Sequence, residues 1–524
     1  MSRLRVLPFT LVVLLALPSA AQPGGQEIEC MDGQALLPDV GGFPCDGVNL
    51  VGYLSPGAFG LPGSGAAGHN DIWGWTDPET GIEYALVGTQ NGTGFVSLED
   101  PTLPVLIGKL PTTERASTWR DIKVYQDHAF IVADGSPGHG MQVFDLTRLR
   151  GMTGDPALFE PDALYEGISS AHNIVINEET GFAYAVGAGR VGGFPDECRP
   201  RGFHAINIQD PTNPKFTSCF SDIALETGPR NQGYTHDAQC LIYRGPDANY
   251  RGRELCFGSN EDVVTVFDVT DKGDVQIISQ AEYPTPSYTH QGWLTDDQRY
   301  FLADDELDEI NSGATQRTLV IDFSDLEAPE FAFAYDSGLT TIDHNLYVRG
   351  RYAYQSNYES GLRILDLDQI ENGTLTEAAF FDTFPRRTAI SFGGQWSNYP
   401  YFESGLVIAN DGNFGLFVLR PTTLVEITDS EDSPTATDYN LSPAFPNPTT
   451  SSARLTLRVD ESQTVRAELF DVAGRRVASV FEGAAAAGSR LDLEVDGARL
   501  PAGVYVLRVT GETFEASRQI VLTR

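Results

Sequence analysis

One short histidine-bearing segment recurs along the chain. It reads GHND at His69, AHNI at His172, THDA at His236, THQG at His290 and DHNL at His344, and so takes five of the eight histidines. Trp119 in TWRD and Trp396 in GQWS fill the remaining gaps as degenerate copies, giving steps of 50, 53, 64, 54, 54 and 52 residues. A period near 50 residues marks propeller blades: each repeat is one supersecondary unit that cannot bury its apolar face alone.

Within each unit the order of segments is the same. The histidine segment is followed by a short apolar run, such as EYALVGTQNG, AFIVADG or YFLADDE. A third run alternates with period two and closes on Asp, Asn or Pro, as in MQVFDLT, VVTVFDVTD and LRILDLDQ. Such alternation ended by a turn residue reads as a β-strand. A fourth run, such as PVLIGKLP or EFAFAYD, follows in most units. The pattern predicts an all-β fold, a seven-bladed β-propeller over residues 45–424. A six-bladed ring is the alternative if unit two or seven, both without the histidine, is an insertion. The seventh unit has no obvious fourth strand, and VNLVGYLSP (48–56) stands unpaired before the first. An N-terminal strand that completes the last blade would close the ring and remove its open edges.

The chain ends carry different signals. Two arginines within Met1–Arg5, the apolar run Val6–Leu17 and the small residues Ser19-Ala20-Ala21 form a signal peptide pattern over 1–21, leaving 22–44 as an N-terminal extension. No other stretch is apolar enough to span a bilayer as a helix, so the mature chain is expected to have no transmembrane segment. Six cysteines suit an exported protein; they allow fifteen pairings, of which the spacing favours 30–45, 198–219 and 240–256. No C-x-x-C pair is present, which argues against a zinc ribbon. A net charge of −37 argues against nucleic acid as a partner.

Residues 425–438 are rich in Ser, Thr, Asp and Pro and read as a linker. Beyond them, alternating runs such as ARLTLRV, TVRAELFD and GVYVLRVT predict a small immunoglobulin- or fibronectin-like β-sandwich over 439–524. PNPTT, LFDVAGRRV and LPAGVYVLRV in this part closely resemble the type A C-terminal sorting domain of the type IX secretion system. That resemblance implies export across the outer membrane by the type IX machinery, and a chain secreted or attached to the outer cell surface. SAHNIVINEETG, YTHDAQCLIYRGPD, YTHQGWLTDDQRYFLADDELDE and DHNLYVRGRYAYQSNYESGLRILDLD resemble the choice-of-anchor B family, whose propellers carry LVIVD-type repeats. The match covers roughly 45–421 and implies a surface or secreted propeller joined to one of several C-terminal anchors. It brings no established reaction and therefore no catalytic residues.

The chemistry is read from the residues. If the histidine segment is the innermost strand, His69, His172, His236, His290 and His344 meet near one end of a central channel. Asn91, Asp134, Asn260, Asp304, Asn357 and Asn410 should lie in the loops outside them. Neutral imidazoles on a common axis suit a transition metal. The structural alternative is that each histidine staples its own blade to a backbone group. Asp304, Asp305 and Glu306 form a separate calcium candidate, without EF-hand spacing. Trp73, Trp75, Tyr288 and Trp293 are candidates for sugar stacking, against ordinary packing. GAGRVG (187–192) matches G-x-G-x-x-G but opens no helix and is set aside. The function expected is recognition of an extracellular ligand, protein or glycan, on the histidine-bearing face, with a divalent metal (calcium or a transition metal) as the candidate cofactor. The alternative is an exported metal-dependent hydrolase or lyase at the channel mouth.

Overall fold

A computed structural model describes residues 25–61, 68–189, 198, 201–222 and 233–424, together with the strands and some connections between 439 and 523. The expected signal segment and linker lie outside these residues. The chain divides into two compact units, Met1–Val425 and Glu426–Arg524.

Among the described residues, the first unit is built from seven sheets in chain order. Sheet 1 runs from His69–Thr76 to Val105–Pro111, and sheet 2 from Arg120–Tyr125 to Ala163–Tyr165. Sheet 3 runs from Asn173–Asn177 to Lys215–Phe220, and sheet 4 from Asp237–Ile242 to Gln276–Ala281. Sheet 5 spans Thr289–Leu294 to Glu330–Asp336, and sheet 6 spans Asn345–Arg349 to Thr376–Phe381. Sheet 7 holds Gln395–Tyr399, Val407–Asp411 and Gly415–Pro421. Its fourth strand is Val48–Leu54, which pairs antiparallel with Gly415–Pro421 as expected. The first strand of each sheet touches that of the next, and the first strand of sheet 7 touches that of sheet 1. Units two and seven, which lack the repeat histidine, each form a sheet of their own.

Burial explains why the strands are apolar on both faces. Seven apolar clusters lie one between each pair of neighbouring sheets. Leu255 and Phe257 of sheet 4 meet Phe301 and Leu319 of sheet 5, while Cys256, on the opposite face, packs toward Phe203 of sheet 3. Successive side chains of a strand point to opposite faces, so a sheet covered on both sides needs apolar residues at successive positions. Outer strand pairs carry a register shift in sheets 1, 3, 4, 5, 6 and 7. A bulge repeated at this place raises the local twist that sheets packed side by side require.

Two features depart from a plain four-strand unit. Residues Gln34–Leu37 and Gly41–Asp46, read from the sequence mostly as an extension, form a hairpin that continues sheet 6 through Cys45 and Asp46. In sheet 2 the chain leaves after Met141–Asp145, and Ala157–Leu158 pairs in parallel with the outer strand of sheet 1. Phe159 then sits over Gly108, where an added Cβ would lie 2.3 Å from its ring, so this crossing needs a glycine.

The cysteines pair as 30–45, 198–219 and 240–256. The last bridge joins direct cross-strand partners. The second unit contains a three-stranded and a four-stranded sheet. Alternate residues of both, among them Leu455, Leu457, Leu493, Ala467, Leu507 and Ile520, share one core.

Candidate functional site

Each histidine of the repeat lies at the start of its sheet's first strand, and the sheet order brings four of them side by side. The rings of His172 and His236 are 4.2 Å apart, those of His236 and His290 4.3 Å, and those of His290 and His344 4.4 Å. Trp396, the degenerate copy in unit seven, continues the row 5.0 Å from His344. His69 stands apart, edge-on to Phe59 at 4.8 Å. All five histidines line one cavity of about 570 Å³, with Glu306, Tyr288, Tyr358 and Phe392 among its walls.

One nitrogen of each imidazole is committed to the frame. Nδ1 of His236 bonds the carbonyl of His290 at 3.0 Å, and Nδ1 of His344 bonds that of Trp396 at 2.6 Å. Nδ1 of His172 meets Asp134 at 3.1 Å, Nδ1 of His290 meets Asp304 at 3.1 Å, and Nδ1 of His69 meets Asn410 at 2.9 Å. The residue after the histidine often repeats the clasp: Asn70, Asn173 and Asn345 donate to backbone carbonyls of the next sheet. Sequence reasoning set the staple against the ligand role; the two fall on different nitrogens of the same ring. An imidazole whose Nδ1–H is held by an acceptor presents Nε2 as a lone pair.

Burial keeps the rings of His69, His236, His290 and His344 neutral. Desolvation lowers His69 to about 4 and His344 to about 3. His236 and His290 are held well below the ordinary value by burial first and by neighbouring imidazoles second. A histidine lowered on folding adds stability above its ordinary pKa, and this is lost as pH falls toward the folded value. His69 and His344 are therefore expected to stay neutral at pH 5, read as imidazole ¹⁵N shifts across a pH series. A midpoint above 6 for either ring would contradict the burial described.

Two histidines, not three, converge with a third ligand. His290, His344 and Glu306 bring one ligand atom each within 4.8 Å of one another. Nε2 of His290 is 3.9 Å from Glu306 Oε2, and Nε2 of His344 is 3.7 Å from Glu306 Oε1. Tyr358 donates to Glu306 Oε1 at 2.8 Å, and burial raises this carboxyl to about 7. Among the described residues the other such group is Cys198, His204 and Cys219, whose thiols are consumed in a disulfide.

The expected calcium trio separates. Asp304 accepts from His290 and from the Gln291 amide at 3.1 Å. Asp305 caps the preceding loop, accepting from the Ser287 amide at 2.7 Å, the Tyr288 amide at 2.6 Å and the Tyr283 hydroxyl at 2.9 Å. Glu306 faces the cavity. Successive residues leaving a strand point in different directions, so three adjacent carboxylates do not share one ion here. The candidate stacking residues also divide. Tyr288 lines the histidine cavity, whereas Trp73 and Trp293 line a second cavity of about 360 Å³ with Tyr347, Tyr399 and Tyr401. Trp75 packs on Tyr84 in the core. Tyr358 and Phe392 carried no signal in the sequence, because neither aromatic recurs at its place in the other units.

Residues 443–523 match the family described as "Secretion system C-terminal sorting domain". The tail is a type IX secretion sorting domain, and the protein is secreted or attached to the cell surface. No helix among the described residues is long and apolar enough to cross a membrane. No curated protein matches the chain. Solved structures similar to it include the following three. A protein from Lactobacillus plantarum is 13% identical, with 82% of this chain and 99% of that one covered, at a TM-score of 0.41. The C-terminal WD40 domain of Sif2 is 8% identical, with coverage of 68% and 98% and a TM-score of 0.41. A chain from "COPII on membranes, outer coat vertex" is 10% identical, with coverage of 75% and 97% and a TM-score of 0.46. At these scores the likenesses carry no argument; the propeller-like arrangement is read from the sheets themselves.

Proposed function

We propose that this chain is an exported seven-bladed propeller of the choice-of-anchor B kind that captures an extracellular ligand in its histidine-lined cavity, at a transition metal held by His290, His344 and Glu306. The assignment of parts is a signal peptide over 1–21, a propeller body over 45–424, a linker over 425–438 and a sandwich-like sorting domain over 439–524. The cyclic order of seven sheets supports the blade count, and the shared core of the two C-terminal sheets supports the sandwich.

The observation that carries the metal is the convergence of two neutral, lone-pair Nε2 atoms on one carboxylate. Imidazole with a carboxylate suits zinc, iron or copper better than calcium. Asp304 and the Trp396 carbonyl, each bonded to a ligand histidine's Nδ1, fix the rings. Tyr288, Tyr358 and Trp396 give the cavity aromatic walls for the organic part of a ligand. Three protein ligands leave coordination positions open, and this specific feature favours a metal-dependent hydrolase as the second reading.

Purified protein is expected to carry close to one equivalent of a transition metal. His290→Ala and His344→Ala should each weaken retention at least tenfold by elemental analysis after dialysis. Metal content unchanged in both variants would remove the metal centre. Ester or peptide turnover that needs the metal and disappears in His344→Ala would favour the enzyme over the binding protein.

A further inference from the structure

The repeat position that carries the histidines has a companion further along the first strands. Three or four residues on stand Trp73, Lys123, Trp293, Tyr347 and Tyr399, in sheets 1, 2, 5, 6 and 7. All five line the second cavity, of about 360 Å³. A strand rises about 3.3 Å per residue, so this cavity lies roughly 10–13 Å along the strands from the histidine row. The two cavities share no lining residue.

Its aromatic side chains form one wall. The Trp73 ring is 5.1 Å from Tyr399 and 5.6 Å from Tyr347, and Tyr347 is 5.1 Å from Trp293. Tyr401 extends the wall 5.4 Å from Tyr399. The charges around it are unbalanced. Glu178, Asp237 and Asp296 line the cavity against one cation, Lys123. Lys123 is already neutralised, by Asp121 at 2.6 Å with Asp71 at 3.8 Å, and its ammonium stands 4.5 Å over the Trp73 ring. None of the three lining carboxylates forms an ion pair among the described residues. Asp237 holds one oxygen on the Ala238 amide at 2.7 Å. Burial, and then Asp121, raises its carboxyl to about 7, the condition of a carboxylate short of a counter-ion.

We propose that this second cavity binds a small organic ammonium ion, alkylated at nitrogen, on its aromatic wall, with Asp237 supplying the neutralising charge. Aromatic faces attract a cation through the ring quadrupole, and Lys123 over Trp73 is an instance within the same cavity. An unalkylated ammonium is strongly hydrated, and the one present here has two carboxylates beside it. An alkylated one is less hydrated and buries its methyl groups against the rings. Glu178 and Asp296 are exposed and add to the potential that draws a cation in. A sugar would also stack on Trp73 and Trp293, but it has no need of carboxylates in excess of cations. The volume is that of a small-molecule site.

The test uses the full mature chain and choline chloride as the probe, at about pH 8, where Asp237 is charged. Titration calorimetry should give one site. Choline should bind at least about tenfold tighter than 3,3-dimethylbutan-1-ol, which has its shape without its charge. Asp237→Asn keeps the shape of the side chain and should weaken choline at least about tenfold while leaving the alcohol unchanged. Trp293→Ala should weaken choline by a similar factor. The comparison of the two probes on wild type depends on no variant. Sedimentation with phosphatidylcholine vesicles, competed by choline, would assign the ammonium to a lipid headgroup, and binding of choline without vesicle binding to a free solute; either upholds the site. No choline binding, or equal binding of choline and the alcohol, would overturn the proposal. So would binding of cellobiose that choline does not displace, because the wall would then serve a sugar.

Discussion

A chain starting at Pro56 is expected to yield no soluble monomer, although it keeps every first, second and third strand of the seven sheets. The deletion removes Val48–Leu54, the outer strand of sheet 7, together with the hairpin Gln34–Leu37 and Gly41–Asp46 that continues sheet 6. Val48, Leu50, Val51 and Tyr53 are each at most 4% exposed, and they belong to the clusters on both faces of that sheet. At about 1.5–3 kcal/mol for each buried side chain the loss is about 6–12 kcal/mol. That equals most of the stability of an ordinary domain, about 5–15 kcal/mol. The strand left behind, GLFVLRP, would then present an apolar unpaired edge, a template for aggregation. Size-exclusion chromatography and thermal melts of the truncated protein check this. A permuted chain with residues 25–54 linked after Pro421 should recover the monomer, because it restores the pairing rather than the order. A truncated chain that stays monomeric with an unchanged Tm would show that ring closure contributes little.

Deleting residues 443–523 is expected to abolish arrival at the cell surface while leaving the propeller folded. The deleted part matches the sorting domain, and its core draws only on residues 453–522. A unit with its own core can be removed without opening another. In a bacterium that has the type IX machinery, surface labelling should fall to background and the protein should collect in the periplasm with an unchanged melting profile. Residues 439–524 fused to a periplasmic reporter should carry that reporter out. A truncated chain found at the surface in normal amount would show that another segment directs export.

The ring and its closure were legible because they rest on periodicity. The histidine at each unit's head and the strand at 48–56 with nothing to pair are visible as letters. Spacing alone likewise favoured the three disulfides observed. The hairpin 34–46 and the parallel strand at 157–158 were not visible, since both follow from where an edge happens to be available rather than from their own pattern. At the site, the sequence placed the histidines but not the division of labour between Nδ1 and Nε2. It grouped Asp304, Asp305 and Glu306 because they are adjacent, whereas the fold sends them to three surroundings.

The pairing of Val48–Leu54 with Gly415–Pro421 also governs how the molecule can be made. Tyr53 donates to the carbonyl of Phe414, 361 positions later. A chain threaded across a membrane from its N-terminus delivers the seal first and its receiving edge last. Sheets 1 to 5 can assemble as they emerge, sheet 1 gaining Ala157–Leu158 from within unit two, but sheet 7 must wait for nearly the whole body to arrive. Such distant contacts make closure the slow event of maturation. Until then two apolar edges stand bare in the periplasm, which makes this interval the time at which a holding chaperone has most to do.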